Sequence, residues 1–288
     1  MKLVLGTAQF GLKYGIANRY GKLKQYQQKK ILKFAKESRI DMLDTAVNYG
    51  SSEKTLGKIG VNEFKIITKI PPFPNKIKNI DEFIQKNVKQ SLKKLKIDCL
   101  YGLLIHKSND ILRFDGKVIN CLKQLKKNKL IKKYGVSIYS PNELTKILKY
   151  TSVDIVQAPI NLLDRRLEKS GWLNRLKKQN IEIHARSIFL QGLLLLPPKK
   201  ILRKFPKWKN IWSMWYDWQF KHPEQTALEI CFGYVKSLKQ VDRIVVGVDS
   251  FEQIKEIENI RKRYRQIKYP NLSIDDKKIL HPSNWRKL

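Results

Sequence analysis

Short apolar runs alternate with longer stretches whose apolar residues recur every three or four positions, from one end of the chain to the other. The runs predict strands at Lys2–Gln9, Asp41–Ala46, Lys65–Ile70, Cys99–His106, Lys132–Tyr139, Asp154–Asn161, Glu182–Phe189 and Arg243–Asp249. The stretches between them read as helices. In "NIDEFIQKNVKQSLKKL", Ile80, Phe83, Ile84, Val88, Leu92 and Leu95 share one helical face, and Asn79 or Asp81 is placed to cap it. "SPNELTKILKY" opens on Ser140 as a cap with Pro141 in the first turn. Eight such alternations predict parallel strands joined by right-handed crossovers, and the count matches a closed (β/α)8 barrel. A doubly wound open sheet accommodates the same alternation, but "GTAQFGLKYG" between the first strand and first helix fails the GxGxxG pattern such a sheet calls for. The expected architecture is α/β, one (β/α)8 TIM-barrel domain over residues 1–288.

One segment breaks the rhythm. Gly192 to Pro223, after the seventh strand, inserts a stretch that holds four of the six tryptophans. Trp208, Trp212 and Trp215 fall at i, i+4, i+7, the spacing of a helix packed on the barrel. The other reading is a lid beside the rim of the site. Residues 264–288 read as a C-terminal extension, and "RKRYRQIKYP" as a solvated helix end.

Composition narrows the class without naming it. With 42% hydrophobic residues in 288 the chain has enough apolar material for a sizeable core. Cys99, Cys121 and Cys231 are too few for a disulfide framework, and neither they nor His184, His222 and His281 stand at metal-ligand spacing. No metal site is expected, and a reducing compartment fits. The longest apolar run, Ile188 to Pro198, is interrupted by Gln191 and Gly192 and falls short of the roughly 20 residues a membrane helix needs. With no secretory signal at the start, the expectation is a cytoplasmic protein without membrane association. The formal net charge of +34 attracts polyanions in principle. Its lysines recur along the whole length as solvated helix faces, with no nucleic-acid-binding signature, so nucleic acid is not expected as a partner.

Four polar residues stand at strand ends, where a barrel of this kind builds its site. Asp44 closes the second strand, Tyr49 lies just beyond it, Lys69 ends the third, and His106 ends the fourth. A buried carboxylate needs compensation, and Lys69 on the neighbouring strand supplies it. An ammonium beside a phenol is expected to lower the pKa of Tyr49 toward the range of a general acid, and a neutral histidine to hydrogen-bond a substrate oxygen.

These residues and their flanks resemble the aldo-keto reductases. "LGTAQFG", "DTAVNYGSSE", "TKI", "LLIH", "GVSIYS", "VQAPINLLDRR", "ARSIFLQG" and "VVGVDSFEQIKEI" are similar to that family's blocks, in order, over roughly Lys2 to Ile260. The resemblance implies reduction of an aldehyde or ketone by NAD(P)H, with Tyr49 as proton donor, Lys69 and Asp44 tuning it, and His106 orienting the carbonyl. It implies cofactor contacts from Gly6, Thr7 and Asp44 near the nicotinamide and its ribose, from Ser137 and Gln157 to the carboxamide, and from Arg186 stacking on the ring. Gly247, Asp249, Ser250 and Gln253 occupy the block that meets the adenosine end. Ile138 stands where many members have asparagine, so one carboxamide bond is expected to be missing. The family's habit favours NADP, with NAD as the alternative, since Asp249 takes a place where NADP-preferring members carry a basic residue. The basic surface suggests an anionic or sugar-linked carbonyl substrate. A noncatalytic cofactor-binding or regulatory protein on the same scaffold is the alternative, against which the retained tetrad argues.

Overall fold

The computed structural model describes residues 1–265 and 268–287. Eight parallel strands close into a barrel in sequence order. They are β1 (Lys2–Gly6), β2 (Met42–Asp44), β3 (Lys65–Ile70), β4 (Leu100–Ile105), β5 (Ile131–Ser137), β6 (Ile155–Pro159), β7 (Glu182–Arg186) and β8 (Arg243–Gly247). Seven of them lie inside the runs that predicted them, and β5 begins one residue before its run, at Ile131. The barrel shuts where Val4 pairs with Val245 and Gly6 with Gly247. Around it stand α1 (Gln25–Glu37), α2 (Ser52–Ile59), α3 (Ile80–Leu95), α4 (Lys117–Lys127), α5 (Pro141–Tyr150) and α6 (Trp172–Lys178). The insertion adds α7 (Pro198–Lys204) and α8 (Lys209–Lys221), and α9 (Ala227–Ser237) and α10 (Phe251–Arg263) complete the ring. Asn79 caps α3 by accepting from the amides of Asp81 and Glu82, and Glu143 reaches back to the Ser140 amide at the start of α5.

The two-residue period of the strands sorts side chains into a packed interior and an outer core. Val4, Met42, Ile67, Leu104, Ile155 and Val245 fill the inside of the barrel, while their neighbours Leu3, Leu5, Leu43 and Ile66 join the larger core beneath the helices. Two residues further along each of these strands come Gly6, Asp44, Lys69, His106, Gln157 and Gly247. The polar floor of the site is therefore the next inward-facing layer above an apolar plug.

The opposite, amino-terminal end is closed by ions. Arg243 donates to Asp41 at 2.8 Å and to Glu182 at 2.8 Å. Lys65 meets Asp41 at 3.0 Å, and Lys133, Tyr101 and His184 also converge on Glu182. Burial raises the pKa of Asp41, but Arg243 and Lys65 outweigh it and hold the carboxyl at about 2.

The tryptophan stripe is core. Trp212 and Trp215 are fully buried and Trp208 nearly so, while Met214 and Phe220 on the outer face of α8 are exposed. Trp215 donates to the Leu194 carbonyl at 3.3 Å and Trp208 to Asp276 at 3.2 Å. Trp285 packs its ring 5.3 Å from Phe205, so the described part of the C-terminal extension docks on the insertion. Of "RKRYRQIKYP", residues 266 and 267 lie outside the described residues; Arg261, in the last turn of α10, pairs with the buried Glu258. No helix among the described residues is long and apolar enough to cross a membrane.

Candidate active site

A cleft of about 410 Å³ opens at the carboxyl ends of the strands. Asp44 lies in its floor and Lys69 beneath it, 3% and 1% exposed. The Lys69 ammonium donates to Asp44 Oδ2 at 2.6 Å and to the Thr45 carbonyl at 2.9 Å. Gln157 donates to the other carboxylate oxygen at 2.8 Å, and the Asp44 carbonyl accepts from the amide and hydroxyl of Thr7. The carboxylate that closes β2 is thus paired and hydrogen-bonded on both oxygens, which is what a buried charge requires.

Tyr49 projects above this pair from a tight turn. Its amide bonds to the Ala46 carbonyl at 3.0 Å, its own carbonyl accepts from Ser52, and Gly50 follows in the left-handed region at φ 56°. Gly11 fixes the turn from outside, because a Cβ there would lie 1.7 Å from the Tyr49 carbonyl oxygen. Beneath it, Thr7, Thr45 and Ser52 share a buried hydroxyl network. The Lys69 ammonium lies 5.0 Å from the centre of the Tyr49 ring. His106, held by its amide on the Ile70 carbonyl, sits edge-on to that ring at 6.3 Å.

The electrostatics correct one expectation. Burial, and then the Asp44 carboxylate, raise the pKa of Tyr49 instead of lowering it. The ammonium's bonds go to Asp44 and Thr45, so the phenol sees a nearly neutralised pair and not a free cation. Burial also lowers the pKa of Lys69, against the pull of Asp44, and brings that of His106 down to about 4 with help from Lys69 and Arg186. His106 is therefore neutral near pH 7, and its Nδ1 is buried without a partner among the described residues.

Other expected positions divide. Gly6, Thr7, Asp44, Gln157, Arg186 and Gly247 line the cleft, with Asp249 and Gln253 at its β8 end. Ser137 pairs in register with Gln157 and is buried, outside the described lining of the cleft. Ser250 caps α10 by accepting from the Gln253 amide at 3.3 Å, and Gln253 Oε1 accepts from the Asp249 amide at 2.7 Å, which commits both side chains to the helix start. Arg186 stacks 4.4 Å from the centre of the Tyr139 ring and donates to the Ile138 carbonyl at 2.9 Å.

The wall residues that escaped the sequence reading include Gln9, Tyr14, Gln191 and Glu256. Gln191 donates to the Tyr14 hydroxyl at 3.1 Å across 177 residues, a pairing with no local signal. Gln9 follows β1 in a block already singled out, and a polar side chain in an otherwise apolar run was the clue to it.

Eight strands in sequence order, with an acid, a phenol, an amine and an imidazole on three consecutive strand ends, define a class, and residues 2–269 match the family model described as "Aldo/keto reductase family". The chain belongs to that family, whose members use nicotinamide cofactors. Over 245 residues it is 25% identical to the uncharacterized oxidoreductase YqkF of Bacillus subtilis, covering 78% of this chain and 79% of that protein. Among solved structures it superposes on the aldo-keto reductase AKR11C1 of Bacillus halodurans in its holo form with a TM-score of 0.72 at 19% identity, over 96% of this chain and 94% of the other. The glycerol dehydrogenase AKR11B4 of Gluconobacter oxydans gives 0.66 at 20% identity, over 93% of each.

Proposed function

We propose that the protein reduces an aldehyde or ketone to an alcohol with hydride from NADH or NADPH, and that Tyr49 delivers the proton. The observation that carries this is the Lys69–Asp44 pair at 2.6 Å in the cleft floor with the Tyr49 ring above it. The wall suits a dinucleotide on its chemistry. Gln9 Oε1 and Asp249 Oδ1 are buried acceptors without partners among the described residues, fit to receive hydroxyl donors of a ribose. Gly6, Thr7, Ser137, Gln157 and Arg186 are assigned to the nicotinamide end, and Gly247, Asp249, Ser250 and Gln253 to the adenosine end.

The bound dinucleotide supplies the hydride. The protein's part is acid catalysis and orientation. A phenol whose pKa is raised stays protonated throughout the physiological range, and it still gives its proton to an alkoxide, which is far more basic than phenolate. Lys69, bonded to Asp44 and to the Thr45 carbonyl, fixes the ion pair beneath the Tyr49 ring and so holds the floor against which the phenol and the carbonyl are oriented. Neutral His106 donates a hydrogen bond that directs the carbonyl. Arg186, the one cation in the described wall, favours a substrate with an anionic or sugar-linked group. A cytoplasmic location fits this use of cellular NAD(P)H.

The test is dinucleotide oxidation by purified protein with a panel of aldehydes, ketones and phosphorylated sugars, repeated with Tyr49→Phe. Loss of turnover by a factor of roughly 10² to 10⁴ with dinucleotide affinity retained supports the assignment. Turnover on no carbonyl by the wild-type protein removes it.

A further inference from the structure

The charge of the cleft is opposite to that of the molecule. The chain carries 59 lysines and arginines against 25 aspartates and glutamates, yet the described wall of the cleft holds the carboxylates Asp44, Asp249 and Glu256 and the single cation Arg186. Asp44 is neutralised from below by Lys69. Arg186 stands with Tyr49 and Gln157 at the catalytic end. At the β8 end, Asp249 and Glu256 face the cleft with no cation among the described lining residues. The lysines described near that end, Lys30 and Lys255, lie over the Phe251 ring at 4.0 Å and 5.7 Å and are not part of the wall.

Asp249 is also held in place. Its amide is tied to Gln253 at the start of α10, and Gln9, more than nine-tenths buried, lies against it with its Oε1 unpartnered among the described residues. A Cβ on Gly247 would come within 2.7 Å of the Gln9 side chain, so that glycine is what lets the amide sit beside the carboxylate. Burial raises the pKa of Asp249, with the Gln9 amide opposing it, as expected for a carboxylate lacking a cation. Gln9 Oε1, Asp249 Oδ1 and Glu256 together form an edge of acceptors. Such an edge receives ribose hydroxyls and repels a phosphate.

We propose that the β8 end of the cleft selects NADH over NADPH, with Asp249 as the specificity-determining residue and Glu256 reinforcing it. The two cofactors differ only in a phosphate on the adenosine 2′ oxygen. With the nicotinamide at the Tyr49 end, the adenosine lies toward β8, where that dianion meets like charge. The inference rests on the carbonyl-reductase reading, since it requires a dinucleotide in the cleft. It departs from the family's general habit on the strength of the local charges.

Isothermal titration of the full chain with NADH and with NADPH, in the absence of any carbonyl, reads the preference directly. Salt at about 0.15 M keeps the basic surface from masking the local effect. NADH is expected to bind at least roughly tenfold more tightly. Asp249→Asn should narrow the ratio, and Asp249→Arg should bring NADPH level with NADH or ahead of it. Equal or tighter binding of NADPH by the wild-type protein overturns the proposal while leaving the carbonyl-reductase reading intact. Binding of neither dinucleotide overturns both. The wild-type ratio does not depend on the variants folding, and a thermal-shift comparison identifies any variant that has not.

Discussion

Replacing Lys69 by methionine keeps the volume of the side chain and removes the charge that faces Asp44. At 2.6 Å and an effective dielectric of about 20, the attraction lost is about 6 kcal/mol. The carboxylate has an escape, because it can take a proton. At pH 7 that costs about 1.4 kcal/mol for each unit above its ordinary pKa near 4, hence a ceiling of about 4 kcal/mol. The smaller figure governs, so Asp44 in Lys69→Met is expected to bind a proton instead of remaining as a bare buried anion. The double variant Asp44→Asn/Lys69→Met lacks both charges and serves as the reference. Urea unfolding at pH 7 should find the single variant less stable than the double by about 3 to 4 kcal/mol. The sign with pH follows. A folded-state pKa raised above its unfolded value binds extra protons in the native state, so the penalty shrinks as pH falls, by about 1.4 kcal/mol per unit. Near pH 5 the gap should be about 1.5 kcal/mol, and near pH 4 it should close. A gap that does not change with pH, or a single variant as stable as the double, refutes the account of Asp44 as a carboxylate kept charged by Lys69.

Three other outcomes follow from the structure. Gly11→Ala puts a Cβ 1.7 Å from the Tyr49 carbonyl, so the turn carrying Tyr49 must shift; turnover should fall by more than roughly tenfold while unfolding still shows one cooperative transition, whereas unchanged turnover would mean the turn is not the support of the phenol. His106, with its pKa lowered to about 4, should show no ring-proton titration by NMR between pH 6 and pH 8; a midpoint near 6.5 would show that burial does not hold it neutral. Asp41, held at about 2 and so below the ordinary carboxylate range by Arg243 and Lys65, contributes stability that is present above pH 4 and lost as pH falls toward 2, so Arg243→Met should reduce the melting temperature at pH 7 and have progressively less effect below pH 4.

The fold and the order of the candidate catalytic side chains were legible because both follow from local periods. An apolar run of a given length and the two-residue alternation within it place Asp44, Lys69 and His106 one step above Met42, Ile67 and Leu104 on the inside of the barrel, before any contact is known. The acid-and-base partners were legible too, since they stand on neighbouring strands. The ionic closure built on Asp41, Glu182 and Arg243 was not, because each of those residues stands at or just before a strand start and looks like an ordinary solvated charge until the strand starts meet. The tryptophan stripe had two readings until the C-terminal segment closed over it through Trp285 and Asp276.

What the chain's pattern specified was therefore the barrel, its insertion and the four side chains at its rim. Folding in three dimensions decided which charges are neutralised and which are left alone. Tyr49 is raised and not lowered, Ser250 and Gln253 are committed to a helix start, and Gln9 and Glu256 join Asp249 at one end of the cleft. The reason is that a proton's or a phosphate's energy depends on the distances and burial of all nearby charges at once, and residues hundreds of positions apart become neighbours only in the folded barrel.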